Sequence, residues 1–477
     1  MSAPTLIASH TGFPISSTAA LEHIWTLGGL SPAAMPYARL DGAEPTLPSS
    51  FAVSTAAQAS IAAAALAAAE LRHVRGHTRQ AIGVDMRHAS AECSNYMRID
   101  GVVPEVWDKL SGIYACGDDG KGGWVRIHTN FRHHRDGALR LLGCPIGEDT
   151  TRDQVTAALR SWNAHDFESA AAQAGLVVAA VRSFDEWDRH RQGQAVAKLP
   201  LLTFEKIGEA DPIALPALDA DSRPLTGVRC LELTRILAGP VGGRTLAAYG
   251  ADVLLVNSPN LPNIEAIAET SRGKLSTHLD LLTEECKRDF GRLLGQTHVM
   301  LQGYRPGGLE RLGFGAEQAA RIRPGIVYVS LSAYGHVGPW SDRRGFDSLV
   351  QTATGFNHAE ALAAGSQSPK ALPVQILDHA SGYLMAFGAA AALVRQQREG
   401  GSWHVRVSLA QTGHWLRGLG RQKDGLKAKK LQFDDLLEAY DSGFGRLVAV
   451  GHSAQFSQTP AKWTRPSMPP GSHAPDF

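Results

Sequence analysis

Cysteine is scarce in this chain of 477 residues: Cys93, Cys116, Cys144, Cys230 and Cys286 are the only five, and no two form a C-x-x-C pair. An odd, scattered set argues against a disulfide framework or a zinc knuckle and fits a reducing, cytoplasmic setting. Net charge is nearly absent as well, since 47 basic and 46 acidic residues leave +1. Such a weak field gathers neither nucleic acid nor an anionic membrane, so neither is expected as a partner. The N-terminal stretch MSAPTLIASHTGFP lacks a basic segment followed by an apolar core, and the apolar run from Ala56 to Ala69 is short and mostly alanine. Neither a secretion signal nor a membrane span is expected. The stretch RIHTNFRHHRDG gathers His128, His133 and His134, but among arginines and without a Cys or paired carboxylate at ligand spacing. It reads as solvated surface, and no metal site is expected.

What the chain does contain is length enough for two or three domains with real cores. From Gly227 onward short β-rich runs alternate with helical ones: VRCLEL, ADVLLV, HVMLQGY and GIVYVSLSAYG read as strands, and GGRTLAAY, EECKRDFGRLLGQ and GAEQAARIRP as helices. This order predicts an α/β fold, a doubly wound parallel sheet of Rossmann-like type. Its ligand is then expected at the carboxyl ends of the strands, in the turns TRILAGP, NSPNLP, YRPGG and SLSAYG. Upstream, GGWVRIHTN as a strand and TRDQVTAALRSWN and HDFESAAAQAG as helices predict a smaller α+β domain. The proline-rich, acidic stretch EADPIALPALDADSRPL is the expected linker.

A repeat complicates this order. Shifted by 323 positions, the segment from Thr55 (TAAQASIAAAALAAAELRHVRGHTRQAIGVD) overlays the segment from Asp378 (DHASGYLMAFGAAAALVRQQREGGSWHVRVS) without a gap. Each has an alanine-rich helix, an R-x-x-R near its end, a polar turn and an alternating strand. Asp378 reads first as a helix N-cap, but Thr55 stands at the same place in the other copy and Thr also caps. A carboxylate confined to one copy is therefore also a candidate nucleophile.

The blocks GVRCLELTRILAGPVGGRTLAAYGADVLLV, SRGKLSTHLDL, YRPGGLERLGFG, PGIVYVSLSAYGHVGPWSDRRGFDSLVQTATG and LDHASGYLMAFGAAAALVRQQREGG, in this order, resemble the family III CoA-transferases. That group includes formyl-CoA and carnitine CoA-transferases and is related to the α-methylacyl-CoA racemases. The resemblance implies that Asp378 attacks an acyl-CoA thioester to give a mixed anhydride and then an aspartyl-CoA thioester. It implies that Arg235, Leu237 and Ala238 line the loop beside the thioester, that Lys274 and Arg305 meet CoA phosphates, and that Ser330, Leu331, Tyr334 and Gly335 flank pantetheine and adenine. Acyl-CoA and a small carboxylic acid are then the substrates, with no permanently bound cofactor, and the expected assembly is a homodimer whose chains interlock through the helix crossing between domains.

The domain order departs from the family's. It reads as an N-terminal segment with one crossover-helix copy (1–109), a small domain (110–205), a linker (206–225), a large domain carrying Asp378 (226–420) and a tail (421–477), like the remnant of a tandem fusion. Two such helices in one chain would imitate part of the interlock internally. Asn257 ends the second strand where the family has an acid, and there is no glycine-rich lid of the formyl-CoA transferase type. A racemase needs histidine where this chain has Phe346 in Gly345-Phe346-Asp347. A dehydrogenase needs G-x-G-x-x-G, and the chain has GPVGG. A degenerate, non-catalytic partner subunit and an intramolecular CoA transfer between two carboxyls of one diacid, with the same nucleophile, remain as alternatives.

Overall fold

The computed structural model describes residues 14–477, so the N-terminal stretch on which the secretion expectation rests, Pro14 apart, lies outside the described residues. The chain forms two compact units. The larger holds the residues up to Pro104 together with Leu199–Ser332 and Ile376–Phe477, and the smaller holds Glu105–Lys198 and Ala333–Gln375. This differs from the expected division: residues 333–375 leave the large domain for the small unit, while the N-terminal segment and the tail belong to the large one.

In the large unit we label ten strands: β1 (Ala38–Asp41), β2 (Ile82–Asp85), β3 (Leu202–Gly208), β4 (Arg229–Leu233), β5 (Asp252–Asn257), β6 (Leu275–His278), β7 (Val299–Gln302), β8 (Val327–Ser332), β9 (Ser402–Ser408) and β10 (Ala454–Phe456). Five of its helices matter below: α1 (Val53–Val74), α2 (Met86–Glu92), α3 (Ala238–Ala248), α4 (Ile376–Glu399) and α5 (Leu409–Gly418). The main sheet has seven strands in the order β6-β5-β4-β7-β8-β9-β3, all parallel except β3. The order reverses between β4 and β7, which is the topological switch point where ligands of such sheets bind. Strand β6 was not foreseen, because LSTH is short and has one apolar residue in four.

The repeat in sequence is a repeat in structure. Val53 and Met86, the first residues of α1 and α2, lie 323 positions before Ile376 and Leu409, the first residues of α4 and α5. Asp85 and Ser408, equally spaced, cap α2 and α5 in the same way, each side chain accepting from the amide three residues on. Strand pairing follows suit. Val84 of β2 lies between Leu40 of parallel β1 and Ala454 of antiparallel β10, and its counterpart Val407 of β9 lies between Leu331 of parallel β8 and Leu202 of antiparallel β3. The closing strands are exchanged: β3 follows the first repeat along the chain but completes the sheet of the second, and β10 does the reverse.

The two long helices pack against each other. Both are apolar nearly all round, a pattern that is stable only when every face is covered, and their alanines are almost without exposure. Among the described residues α4 is the one helix long and apolar enough to cross a membrane, yet 94% of its most apolar window is buried in the protein. At its far end Arg398 bonds Glu70 of α1 at 3.2 Å, and Arg79 holds the same carboxylate at 2.9 Å. A second buried junction joins the repeats: Glu92 of α2 meets Arg244 of α3 at 3.1 Å and His452 at 2.8 Å, and accepts the Ser453 amide at 2.8 Å. Burial pushes the Glu92 carboxyl up, but the His452 and Arg244 charges more than reverse this and hold it well below the usual carboxylate range.

The small unit is built on a three-stranded antiparallel sheet of Gly112–Ala115, Trp124–Ile127 and Val178–Ala180. Its histidine-rich stretch is only partly solvated: His133 is exposed as expected, and the other two histidines are not. His128 and His134 are buried, with the His128 ring stacked on Phe346 at 4.1 Å and His134 edge-on to Phe131 at 5.8 Å. Aromatic packing within the unit, not water, surrounds them.

Glu92→Gln should destabilise the protein by on the order of 3 kcal/mol at neutral pH, because it takes a buried carboxylate from Arg244, which keeps only Glu269, and from His452. The folded-state pKa is depressed, so the carboxylate's contribution is complete above the unfolded-state value and is lost as pH falls through the folded one. Urea unfolding of both proteins at neutral and acid pH checks this, and the gap between them should narrow in acid.

Candidate active site

The switch point is framed by the loops after β4 and β7. After β4 the chain runs Thr234-Arg235-Ile236-Leu237 into α3, and after β7 it runs Gly303-Tyr304-Arg305. The loops touch, since the Gly303 amide bonds the Leu233 carbonyl at 3.1 Å. Ile236 is the unusual member. Its φ of +78° is a left-handed conformation that a β-branched residue adopts only when its surroundings force it, and such strain concentrates at functional sites. The residue capping α3 is Leu237, whose side chain offers no cap bond, and Pro240 in the first turn has no N–H. By position, the amides of Ala238 and Gly239 lack intrahelical partners and form an electropositive end.

Asp378 lies one helical turn before the residue of α4 that meets this end. It is the third residue of α4, not the cap residue, and is 8% exposed. Thr55 is likewise the third residue of α1, where Ala52 makes no side-chain cap and Glu44 receives the Thr55 amide at 2.6 Å. Simple N-capping therefore describes neither residue. One turn beyond Asp378 stands Gly382, where a Cβ would lie 2.4 Å from the Ala238 carbonyl oxygen and 2.8 Å from the Val241 Cβ. Helix side chains lean toward the N-terminus, so a carboxylate one turn earlier on the same face is carried toward the start of α3 and the strained turn. The i, i+4 spacing of Asp378 and a glycine was the overlooked sign of this close approach.

The other expected residues divide. Arg235, Leu237 and Ala238 sit in the strained turn, and Arg235 donates to the Pro262 carbonyl and is partly buried, which lowers its pKa. Arg305 is exposed on the opposite loop of the switch point. Ser330 and Leu331 end β8 beside it, with Ser330 Oγ bonded to His404 at 2.8 Å. One expectation is corrected. Lys274 is not presented to a phosphate: its side chain has no exposure, and its Nζ lies 2.8 Å from Glu232 and 2.9 Å from the Pro240 carbonyl. Tyr334 and Gly335 belong to the small unit, where the Tyr334 ring is buried edge-on to Trp340 at 5.0 Å. Asn257, which stands where the family has an acid, is buried at the end of β5. In the small unit Asp347 is fully buried and accepts from Gln351 at 2.5 Å, which suits a structural role better than acid–base exchange.

The fold is that of a Rossmann-like α/β protein, with Asp378 on a helix packed against the one that starts at the switch point of its sheet. Residues 225–430 match the model of CoA-transferase family III. An acyl-CoA transferase of Gibberella moniliformis is 30% identical over 379 residues, 71% of this chain and 66% of that protein. A probable fatty acyl-CoA transferase of Mycobacterium tuberculosis is 34% identical over 202 residues, 39% of this chain and 51% of that protein. A crystal structure of the latter aligns at 33% identity over 41% of this chain and 58% of its own, with a TM-score of 0.38. The chain thus spans about half to two thirds of the length of these curated relatives.

Gly382→Ala tests the close approach. Alanine normally stabilises a helix interior by up to about 1 kcal/mol over glycine, but here its methyl meets the Ala238 carbonyl, so the variant should lose stability. Thermal unfolding checks the sign, and a stabilised variant would contradict the packing.

Proposed function

We propose that the protein transfers CoA between an acyl-CoA thioester and a carboxylic acid, with Asp378 as nucleophile. The observation that carries the reading is the close packing of α4 on α3 at Gly382, one turn from Asp378, beside the strained Ile236 turn at the switch point of a parallel sheet. An Asp378 oxygen attacks the thioester carbonyl carbon, the C–S bond breaks, and CoA leaves as a thiolate with an aspartyl anhydride behind it. The thiolate attacks the Asp378 acyl carbon, releases the donor carboxylate and leaves an aspartyl-CoA thioester. The acceptor carboxylate reverses both steps, so no proton is gained or lost overall. Covalent catalysis of this kind divides one difficult exchange into easier displacements. The Ala238 and Gly239 amides suit the oxyanion that develops in each, and near-complete burial of Asp378 protects the anhydride from water. Arg235 and Arg305 offer guanidinium groups for the phosphates of CoA.

Relatives named succinate–glutarate and succinyl-CoA:D-citramalate CoA-transferase match this chain over 205 and 202 residues. Dicarboxylic acids therefore head the panel of acceptors. We also propose that the exchanged strands and paired helices within one chain take the place of the interlock expected between two chains, with one site per chain and a cytoplasmic location.

An exchange assay with a panel of CoA esters and free acids tests the reaction. Asp378→Ala should lower kcat at least about 1,000-fold, as loss of a covalent nucleophile does, while CoA binding persists. Exchange that survives the substitution would refute the role of Asp378.

A further inference from the structure

The ion pair of Lys274 and Glu232 has no exposure on either side chain. Lys274 precedes β6 and Glu232 lies on β4, with β5 between them, so the two side chains together bridge two inter-strand spacings, about 10 Å. Burial pushes the Glu232 carboxyl up and the Lys274 ammonium down, each opposed by the other's charge. A buried pair of this kind is poor evidence of net stabilisation, because desolvation offsets the attraction. Its remaining bonds suggest another use. Thr234 Oγ1 donates to Glu232 at 2.6 Å, and the same Nζ that meets Glu232 donates to the Pro240 carbonyl at 2.9 Å. Thr234 and Pro240 are the two ends of the turn that holds Ile236 at φ +78°.

Two glycines make room for this arrangement. A Cβ on Gly243 would lie 1.7 Å from Glu232 Oε2, and one on Gly239 would lie 2.4 Å from the Thr234 Cβ. The carboxylate is thus inserted against α3, directly under the turn. A strained left-handed residue persists only where neighbouring contacts over-determine it, and this buried bracket supplies contacts at both ends.

We propose that Lys274 is a positioning residue: through Glu232, Thr234 and the Pro240 carbonyl it clamps the turn of residues 234–240 so that the Ala238 and Gly239 amides point at the reacting carbonyl. The proposal rests on the transferase reading for its catalytic consequence, but the clamp itself is independent of it. It gives Lys274 a role in transition-state stabilisation without contact to CoA.

The test uses the full chain with Lys274→Met and with the double substitution Glu232→Gln/Lys274→Met, which leaves no unpaired charge and guards against failure to fold. Hydrogen–deuterium exchange over residues 233–241 reads the clamp, and steady-state CoA exchange reads its consequence. Both variants should show faster amide exchange in the turn, and the folded double variant should lose about 100-fold in kcat, the scale of a lost oxyanion donor, with KM for the CoA ester within about 3-fold. Unchanged amide exchange in the double variant would overturn the clamp whatever the activity, and wild-type kcat would overturn its catalytic role. A wild-type protein that exchanges no CoA refutes the transferase reading and leaves the amide-exchange result to judge the clamp.

Discussion

Two alanine-rich helices that cannot face water on any side hold the large unit together. Each of α1 and α4 covers the other, and the small side chains along both let the backbones approach closely, so the hydrophobic demand of one repeat is met by the other. The exchanged strands follow from the same constraint. Once the helices are paired, β3 and β10 close each other's sheets in matching register. The Glu92–Arg244–His452 junction adds a polar contact that only the correct pairing satisfies. The first repeat thus acts as a covalently attached partner for the half that carries the candidate site.

The same pairing also fixes the site. With α4 held against α3 at Gly382, Asp378 is placed one turn away and has little freedom to go elsewhere. The first repeat reproduces the helix, strand and following helix, but has Thr55 in place of the carboxylate and no counterpart of strands β4 to β7. Among the described residues only the second repeat carries a carboxylate at this place. That asymmetry is a property of the sequence, and it needs no damage to the fold to explain it.

Much of this was legible in the residues. Alternating β-rich and helical runs gave the parallel sheet, and the gapless 323-residue offset located two equivalent helices whose first residues match in the structure. What sequence periodicity does not carry is which side of a helix meets which neighbour. Asp378 looked like a cap because boundaries blur by a residue or two, and it lies inside the first turn instead. Lys274 looked like a phosphate ligand because the block SRGK resembles one that the family sets near CoA, whereas its true partner Glu232 is 42 residues away in sequence and two strands away in the sheet. The left-handed Ile236 has no sequence signature, since tertiary contacts alone impose it. The histidines at 128 and 134 looked solvated because their packing partner, Phe346, comes from a distant segment of the small unit.

The central claim is one nucleophile in a paired, two-repeat chain. Intact-protein and peptide mass spectrometry after brief incubation with an acyl-CoA tests it most directly. The account predicts at most one acyl or CoA adduct per 51.0 kDa chain, carried by the peptide containing Asp378 and absent from the peptide containing Thr55. Two adducts per chain, or an adduct on any other residue that turns over with exchange, would contradict it.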